Sequence, residues 1–227
     1  AHAGADVVVT YRQAEEEGKA VSAKIRDMGR RCLLTRLDLA DLASIEAMMS
    51  EISREFGGLD ILVNNAGVNR PKKALEVTPD DFDHVTNVNL KGVYFCSQAA
   101  AKIMIPRGGG KIINLSSAAA FLVRPNITIS IYAMTKAGLV MLTKALASEW
   151  AHHKINVNAV APGYFKTPLT QDRLDEPEFR KNVLETTPLN RVGEPRDIMG
   201  AVMFLASDAS DFVTGQTLCL DGGRTVL

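Results

Sequence analysis

Tyr132 and Lys136 stand four residues apart in a stretch with helical patterning, which stacks them one turn apart on one helix face. A phenol ionises near pH 10, and an ammonium held close favours the phenolate, so such a pair can give and take a proton nearer working pH. The small residues Ala133, Ala137 and Gly138 let that helix sit tight against a neighbour or a ligand. A lone Tyr-x-x-x-Lys is frequent by chance, so its companions decide what it means. Ser116 and Ser117 directly follow the apolar run Lys111–Leu115, and a hydroxyl there can hydrogen-bond the oxygen that the tyrosine protonates. Otherwise, Ser-Ser after a strand is ordinary turn chemistry.

Asn64, Asn65, Ala66 and Gly67 follow the run Asp60–Val63, and Asn89 lies within a helix that begins at Thr78. A side-chain amide inside a helix competes for backbone hydrogen bonds. Asn89 is therefore expected to kink the helix and aim its backbone carbonyl at a water bound to Lys136; the plainer alternative is a solvent-facing position. Pro162, Gly163 and Thr167 follow the run Asn156–Ala161, while Asp221, Gly222 and Gly223 end the last one. Each is a loop signal, and together they mark strand exits at one sheet edge.

Short apolar runs alternate with amphipathic stretches along the whole chain, the pattern of a parallel sheet covered by helices on both faces. Strands are expected near Asp6–Thr10, Arg31–Leu37, Ile61–Asn64, Lys111–Leu115, Asn156–Ala161 and Thr217–Asp221. Val21, Ile25 and Met28 form one helical stripe, and Ile45, Met49, Ile52 and Phe56 another. Thr78, Pro79, Asp80 and Asp81 supply an N-cap, a first-turn proline and acids at the positive end of the dipole, launching a helix through Phe82 and Val85. A long helix runs from near Tyr132 to Trp150. The expected fold is α/β, a doubly wound parallel sheet of Rossmann type in a single domain over residues 1–227, with ligands beyond the carboxyl ends of the strands.

The 227 residues are 46% hydrophobic and carry 26 basic against 26 acidic side chains. That balance gives no positive field for a polynucleotide or an anionic bilayer, so neither nucleic acid nor membrane is an expected partner. The apolar runs are too short to cross a bilayer. Cys32, Cys96 and Cys219 are odd in number and widely spaced, so neither a disulfide framework nor a zinc site is expected; all three read as reduced and buried in a cytoplasmic protein. His2, His84, His152 and His153 do not cluster with them, and no metal is expected. Ala1–Gly4 look like the tail of a helix entering a strand, with no signal-peptide pattern.

In this order, these residues resemble the short-chain dehydrogenase/reductase family over essentially the whole chain. The matching motifs are Asn64-Asn65-Ala66-Gly67, Asn-Val-Asn-Leu-x-Gly at Asn87–Gly92, Ser116-Ser117, Tyr132-x-x-x-Lys136, Pro162-Gly163, and the Val-Thr-Gly-Gln to Asp-Gly-Gly stretch from Val213 to Gly223. Each is weak alone; together they are specific. The resemblance implies a catalytic tetrad of Asn89, Ser117, Tyr132 and Lys136. Tyr132 would exchange the proton, Ser117 polarise the substrate oxygen, Lys136 lower the tyrosine pKa and hold the nicotinamide ribose, and Asn89 anchor a relay water. It further implies that Asp38 and Leu39 contact the adenine, that Asn65, Ala66 and Gly67 line its ribose, and that Pro162, Gly163 and Thr167 border the nicotinamide.

Cofactor preference is read where Val7–Thr10 ends. No acid stands there to grip a 2′-hydroxyl; Arg12 does, which suits the phosphate of NADP rather than NAD. Two features depart from the family pattern. Its Gly-rich phosphate loop and first strand are absent, so an amino-terminal βα unit of roughly 30 residues is expected upstream. Ser117 and Tyr132 are 15 positions apart, a little more than the family's common interval, and the extra residues fall over the substrate.

Arg70, Arg124, Asn126 and Tyr164 lie in the loops expected to bind substrate, and an arginine fork suits a carboxylate; plain solvent exposure is the alternative for Arg70 and Arg124. Val68–Pro71, Pro125–Ile127 and Ala161–Phe165 look most like the branch that includes gluconate 5-dehydrogenases, which implies a sugar acid or polyol as the small-molecule substrate. The competing reading is a 3-oxoacyl thioester on an acyl carrier protein, which would want a basic outer patch. From another class comes a non-catalytic, cofactor-sensing scaffold, which should have lost part of the tetrad. A larger epimerase or dehydratase would need a longer carboxyl-terminal domain. The family resemblance also implies a homotetramer assembled through Ala133–Trp150 and Gln216–Leu220.

Overall fold

The computed structural model describes residues 1–125, 127–167 and 170–226. Among these residues there are six strands: β1 (Val7–Tyr11), β2 (Cys32–Arg36), β3 (Ile61–Asn64), β4 (Gly110–Leu115), β5 (Ile155–Pro162) and β6 (Thr217–Leu220). All pairings are parallel, in the orders β1-β2 and β3-β4-β5-β6. Among the described residues no strand pairs with the other edge of β1 or of β3, and Val63, in the middle of β3, is 40% exposed.

Alternation along β4 and β5 splits the core into two layers. Ile112, Ile155 and Val157 pack against α2 (Leu42–Phe56), α4 (Val93–Met104) and α5 (Ser130–Trp150). Ile113, Leu115 and Val160 face the other way, against Leu205 and its neighbours on α8 (Pro195–Ala206). Helices thus cover both faces of a parallel sheet, as the alternation of apolar runs requires. Among the described residues no helix is long and apolar enough to cross a membrane.

The start of α3 (Pro79–Thr86) is fixed by a capping box: Thr78 Oγ1 accepts from the Asp81 amide, and Asp81 Oδ2 accepts from the Thr78 amide. On α2 the expected stripe is buried at Ile45, Met49 and Ile52, joined by Met48. The expected stripe on α1 (Glu15–Asp27) is wrong in part. Ile25 is buried, but Val21 and Met28 face solvent, and Gly18 and Ser22 take the inner face. The cause is Gly18: a Cβ there would sit 2.8 Å from Leu34 Cδ1, so α1 lies against β2 on its glycine and the apolar residues beside it turn outward. Phe82 also points to solvent, while Val85 is buried. Of the cysteines expected to be buried only Cys96 is; Cys32 is half-buried at the start of β2, and Cys219 is exposed on β6, which among the described residues has a strand on one side only.

Candidate active site

Because β3 to β6 run parallel, their carboxyl ends open at one edge, where Asn65–Gly67, Ser116–Ser117, Gly163–Tyr164 and Asp221–Gly223 emerge. Two backbones nearly touch there: a Cβ on Gly163 would lie 2.9 Å from Asp221 Cα. Behind the edge, buried amides tie the elements together. Asn64 Nδ2 donates to Ser97 Oγ (2.9 Å) and Asn114 Oδ1 (2.8 Å), and Asn114 Nδ2 donates to Thr143 Oγ1 (2.9 Å). This network joins β3, β4, α4 and α5 at the point from which the site residues project.

Asn89 does distort its helix. Residues Asn87–Gly92 form a π-turn between α3 and α4, the wide turn typical of functional sites. Its side chain is fully buried rather than solvent-facing: Oδ1 accepts from the Val68 amide (2.9 Å), and Nδ2 donates to the Val68 carbonyl (2.9 Å) and to Thr135 Oγ1 (3.1 Å). The amide is therefore engaged in fixing the loop after Gly67.

Lys136 is buried on α5, with its Nζ donating to the Leu115 carbonyl (2.6 Å) and lying 5.6 Å from the centre of the Tyr132 ring. Ser116 Oγ donates to the Lys136 carbonyl (2.8 Å), which locks α5 onto the end of β4. Burial pushes the Lys136 amine down to about 8. The expected lowering of the Tyr132 phenol by Lys136 is not what the site gives: burial pushes the phenol above its ordinary value, the Ser117 hydroxyl beside it pulls the other way, and Tyr164 adds to the rise. The phenol is thus protonated at rest, with Ser117 beside it and the Lys136 amine one helical turn behind.

Ser117 and Tyr132 open into a cleft of about 330 Å³, within the usual range for small-molecule sites, lined also by Asn69, Arg124, Tyr164 and Arg224. A larger hollow of about 460 Å³ borders Tyr164, Leu189 and Cys219 and includes neither Ser117 nor Tyr132. Of the residues expected to bind substrate, Arg124 and Tyr164 line the cleft, whereas Asn126 lies outside the described residues. Arg70 does not line it: Nη1 is bonded to Asp80 (2.6 Å) and Asp81 (3.3 Å), so this guanidinium serves the start of α3.

The residues expected to meet a cofactor spread along the same edge. Arg12 follows β1 and is exposed; the Arg36 Nε at the end of β2 donates to its carbonyl (3.4 Å) and brings a second guanidinium to that corner. Asp38 turns inward on its own backbone, accepting from the Ala40 amide (3.0 Å). Leu39 is buried against Gly92. Asn65, Ala66 and Gly67 are exposed, and a Cβ on Gly67 would stand 3.3 Å from Lys136 Nζ, so this bare backbone faces the amine directly. Pro162 and Gly163 flank the cleft, and Thr167 is exposed, 3.0 Å from Thr170 through their hydroxyls.

Participants that the sequence does not single out include Thr135, Asn114, Arg36 and Arg224. An amide within the apolar run of β4 was a visible signal for Asn114. Nothing local marks the others.

The family model described as enoyl-(acyl carrier protein) reductase matches residues 1–225. A 2-dehydro-3-deoxy-D-gluconate 5-dehydrogenase of Escherichia coli is 44% identical over 225 residues, 98% of this chain and 87% of that protein. A 3-oxoacyl-(acyl-carrier-protein) reductase of Staphylococcus aureus is 39% identical over 223 residues, 98% of this chain and 89% of that protein. Among solved structures, a gluconate 5-dehydrogenase from Burkholderia cenocepacia, in complex with NADP and tartrate, superposes with a TM-score of 0.94 at 42% identity, covering all of this chain and 88% of that one.

Proposed function

The chain belongs to the short-chain dehydrogenase/reductase family, and from that premise we propose that it is an NADP-dependent oxidoreductase interconverting a secondary alcohol and a ketone on a sugar acid. The observation that carries the reading is the shared opening of Tyr132 and Ser117 into one small-molecule cleft, with Lys136 Nζ 5.6 Å behind the phenol ring. The sugar-acid preference is supported by the relatives at 44% and 42% identity, against 39% for the carrier-protein reductase.

The residues present fit a dinucleotide. Gly67 leaves bare backbone 3.3 Å from the amine at the position of a missing Cβ, Lys136 has N–H groups beyond the one held by Leu115, and Arg12 and Arg36 supply cations where an adenosine 2′-phosphate would be read. When bound, NADP supplies the hydride acceptor or donor. Tyr132 gives a proton to the substrate oxygen in reduction and takes one in oxidation; Ser117 hydrogen-bonds that oxygen and stabilises its developing charge. Lys136 would hold the ribose and, while charged, would offset part of the rise that burial gives the phenol. Asn89, clamped to Val68 and Thr135, keeps the π-turn open so that a backbone carbonyl can hold a relay water beside Lys136.

The pH dependence follows from these environments. With Lys136 at about 8, the supporting charge is present below that pH and lost above it. Reduction needs the protonated phenol, which burial favours, so its kcat/KM should stay flat to about pH 8 and then fall. Oxidation needs the phenolate, so its kcat/KM should climb with pH through neutrality. Initial rates in both directions across pH check this; an oxidation rate that declines from acid to neutral pH would overturn it.

Arg12→Asp should shift the ratio of efficiencies toward NAD by at least about tenfold, roughly the ~1.4 kcal/mol of one charge-assisted contact. An unchanged ratio would remove Arg12 from cofactor selection. The reading as a whole is tested by following the absorbance of reduced nicotinamide with gluconate, its 5-keto form, polyols and 3-oxoacyl thioesters. Turnover confined to the thioesters would replace it.

A further inference from the structure

The cleft in front of Tyr132 carries more positive charge than proton transfer requires. Arg124, Arg173 and Arg224 line it, with Asp172 as their one acidic neighbour in the lining. Arg173 lies over the Phe179 ring (4.1 Å). Arg224 is 4% exposed and stacks over the Tyr164 ring (4.9 Å); its Nη1 donates to the carbonyls of Thr186 (3.4 Å) and Val183 (3.5 Å) and to the Thr186 hydroxyl. Among the described residues it has no carboxylate within ion-pair distance. Asp221, the acid nearest in sequence, accepts instead from the amides of Gly223 (3.0 Å) and Thr225 (2.7 Å). Arg124 likewise has no ion pair among the described residues, and its buried Nε has no hydrogen-bond partner.

A buried guanidinium without an anion is costly, and a second one nearby makes it more so. The two do sense each other: burial lowers the Arg224 pKa, Tyr164 and Asp221 oppose that, and the Arg124 charge adds to it. An anion placed between them removes both penalties at once. A planar carboxylate suits two guanidinium forks, and Arg224 is held rigidly by its stack on Tyr164 and its carbonyl acceptors.

We infer that Arg124 and Arg224 together bind the carboxylate of the substrate, so that a sugar acid is chosen over the corresponding neutral sugar derivative by the anchoring of its anionic end in the same cleft as Tyr132. This rests on the reading of the chain as a sugar-acid oxidoreductase and adds the residues that recognise the acid. Arg224 is a specificity-determining residue here, and Tyr164 positions it.

The test compares gluconate with gluconamide, which differ in the charge of one group, in steady-state assays with NADP. The wild type is expected to prefer the acid. Arg224→Gln and Arg124→Gln should each lower the acid-to-amide ratio of kcat/KM by about 10- to 100-fold, mainly through KM for the acid. Arg224→Lys should recover part of that ratio, because it restores the charge without the fork. Arg224 is buried, so its variants are melted alongside; Arg124 sits on a half-buried loop, and Arg124→Gln keeps the test open if Arg224→Gln does not fold. An unchanged ratio in Arg124→Gln overturns the inference, as does a wild type that treats acid and amide alike, while either leaves the oxidoreductase reading standing. A wild type that turns over neither compound but reduces 3-oxoacyl thioesters overturns both.

Discussion

Tyr132→Phe is expected to lower turnover by about 10³- to 10⁴-fold in both directions while NADP binding changes by no more than about twofold. The substitution removes one oxygen and leaves the ring in its place on α5. The hydroxyl beside that oxygen is Ser117, which faces the cleft and can bond water instead, so the exchange orphans no buried partner among the described residues. Lys136 keeps its bond to the Leu115 carbonyl, and Asn89 keeps its clamp on Val68, so the surroundings are unchanged. What is lost is the proposed proton donor and acceptor, and the loss should appear in kcat rather than in KM. Single-turnover rates and cofactor fluorescence titration separate the two. A variant retaining more than about a tenth of wild-type turnover would assign the proton to another group.

Gly92→Ala should cost stability on the order of 2–4 kcal/mol and lower the melting temperature by roughly 10 °C. A Cβ at this position would lie 2.4 Å from the Leu39 carbonyl oxygen and 2.6 Å from Leu39 Cβ. The obstacle is main chain, which cannot rotate aside, so either the π-turn or the segment after β2 must move. Both border the site: the π-turn carries Asn89, and Leu39 is expected to meet the adenine. The Michaelis constant for NADP should therefore rise along with the loss of stability. Gly200, inside α8 with nothing within 4 Å of its would-be Cβ, is the control. Ala there should be neutral or mildly stabilising. Thermal melting of both variants decides the matter; a Gly92→Ala melting point within about 2 °C of wild type would show that the close approach relaxes freely.

Much of this candidate site is legible in the sequence because its spacing is set by regular structure. Tyr132 and Lys136 share a face by helical geometry, and Ser117, Gly67 and Gly163 follow strands whose apolar runs are plain in the sequence. Observed strand ends differ from the expected ones by a residue or so, as they do where β4 begins at Gly110 rather than Lys111. What failed depended on contacts between distant segments. The stripe on α1 was misread because Gly18, not an apolar residue, makes the closest contact with β2. Arg70 reads from sequence as a substrate ligand, but Asp80 and Asp81 hold it at the start of α3. Arg224 had no periodicity or motif of its own; its role depends on Tyr164 and Thr186, some 40 to 60 residues earlier in the chain. The kink at Asn89 was anticipated, but the burial of its amide was not, since Thr135 offers its hydroxyl from another helix.

The chain of amides and hydroxyls running from Asn64 through Asn114 to Thr143 has a bearing on redesign. It works as a keel. Any one member exchanged for an apolar residue strands its partner away from water, so random libraries that include these positions will be dominated by misfolded clones. The segments bearing Arg124 and Arg173 lie outside that keel. New substrate preferences should therefore be sought by varying those outer segments alone, with the proton-transfer apparatus carried along intact.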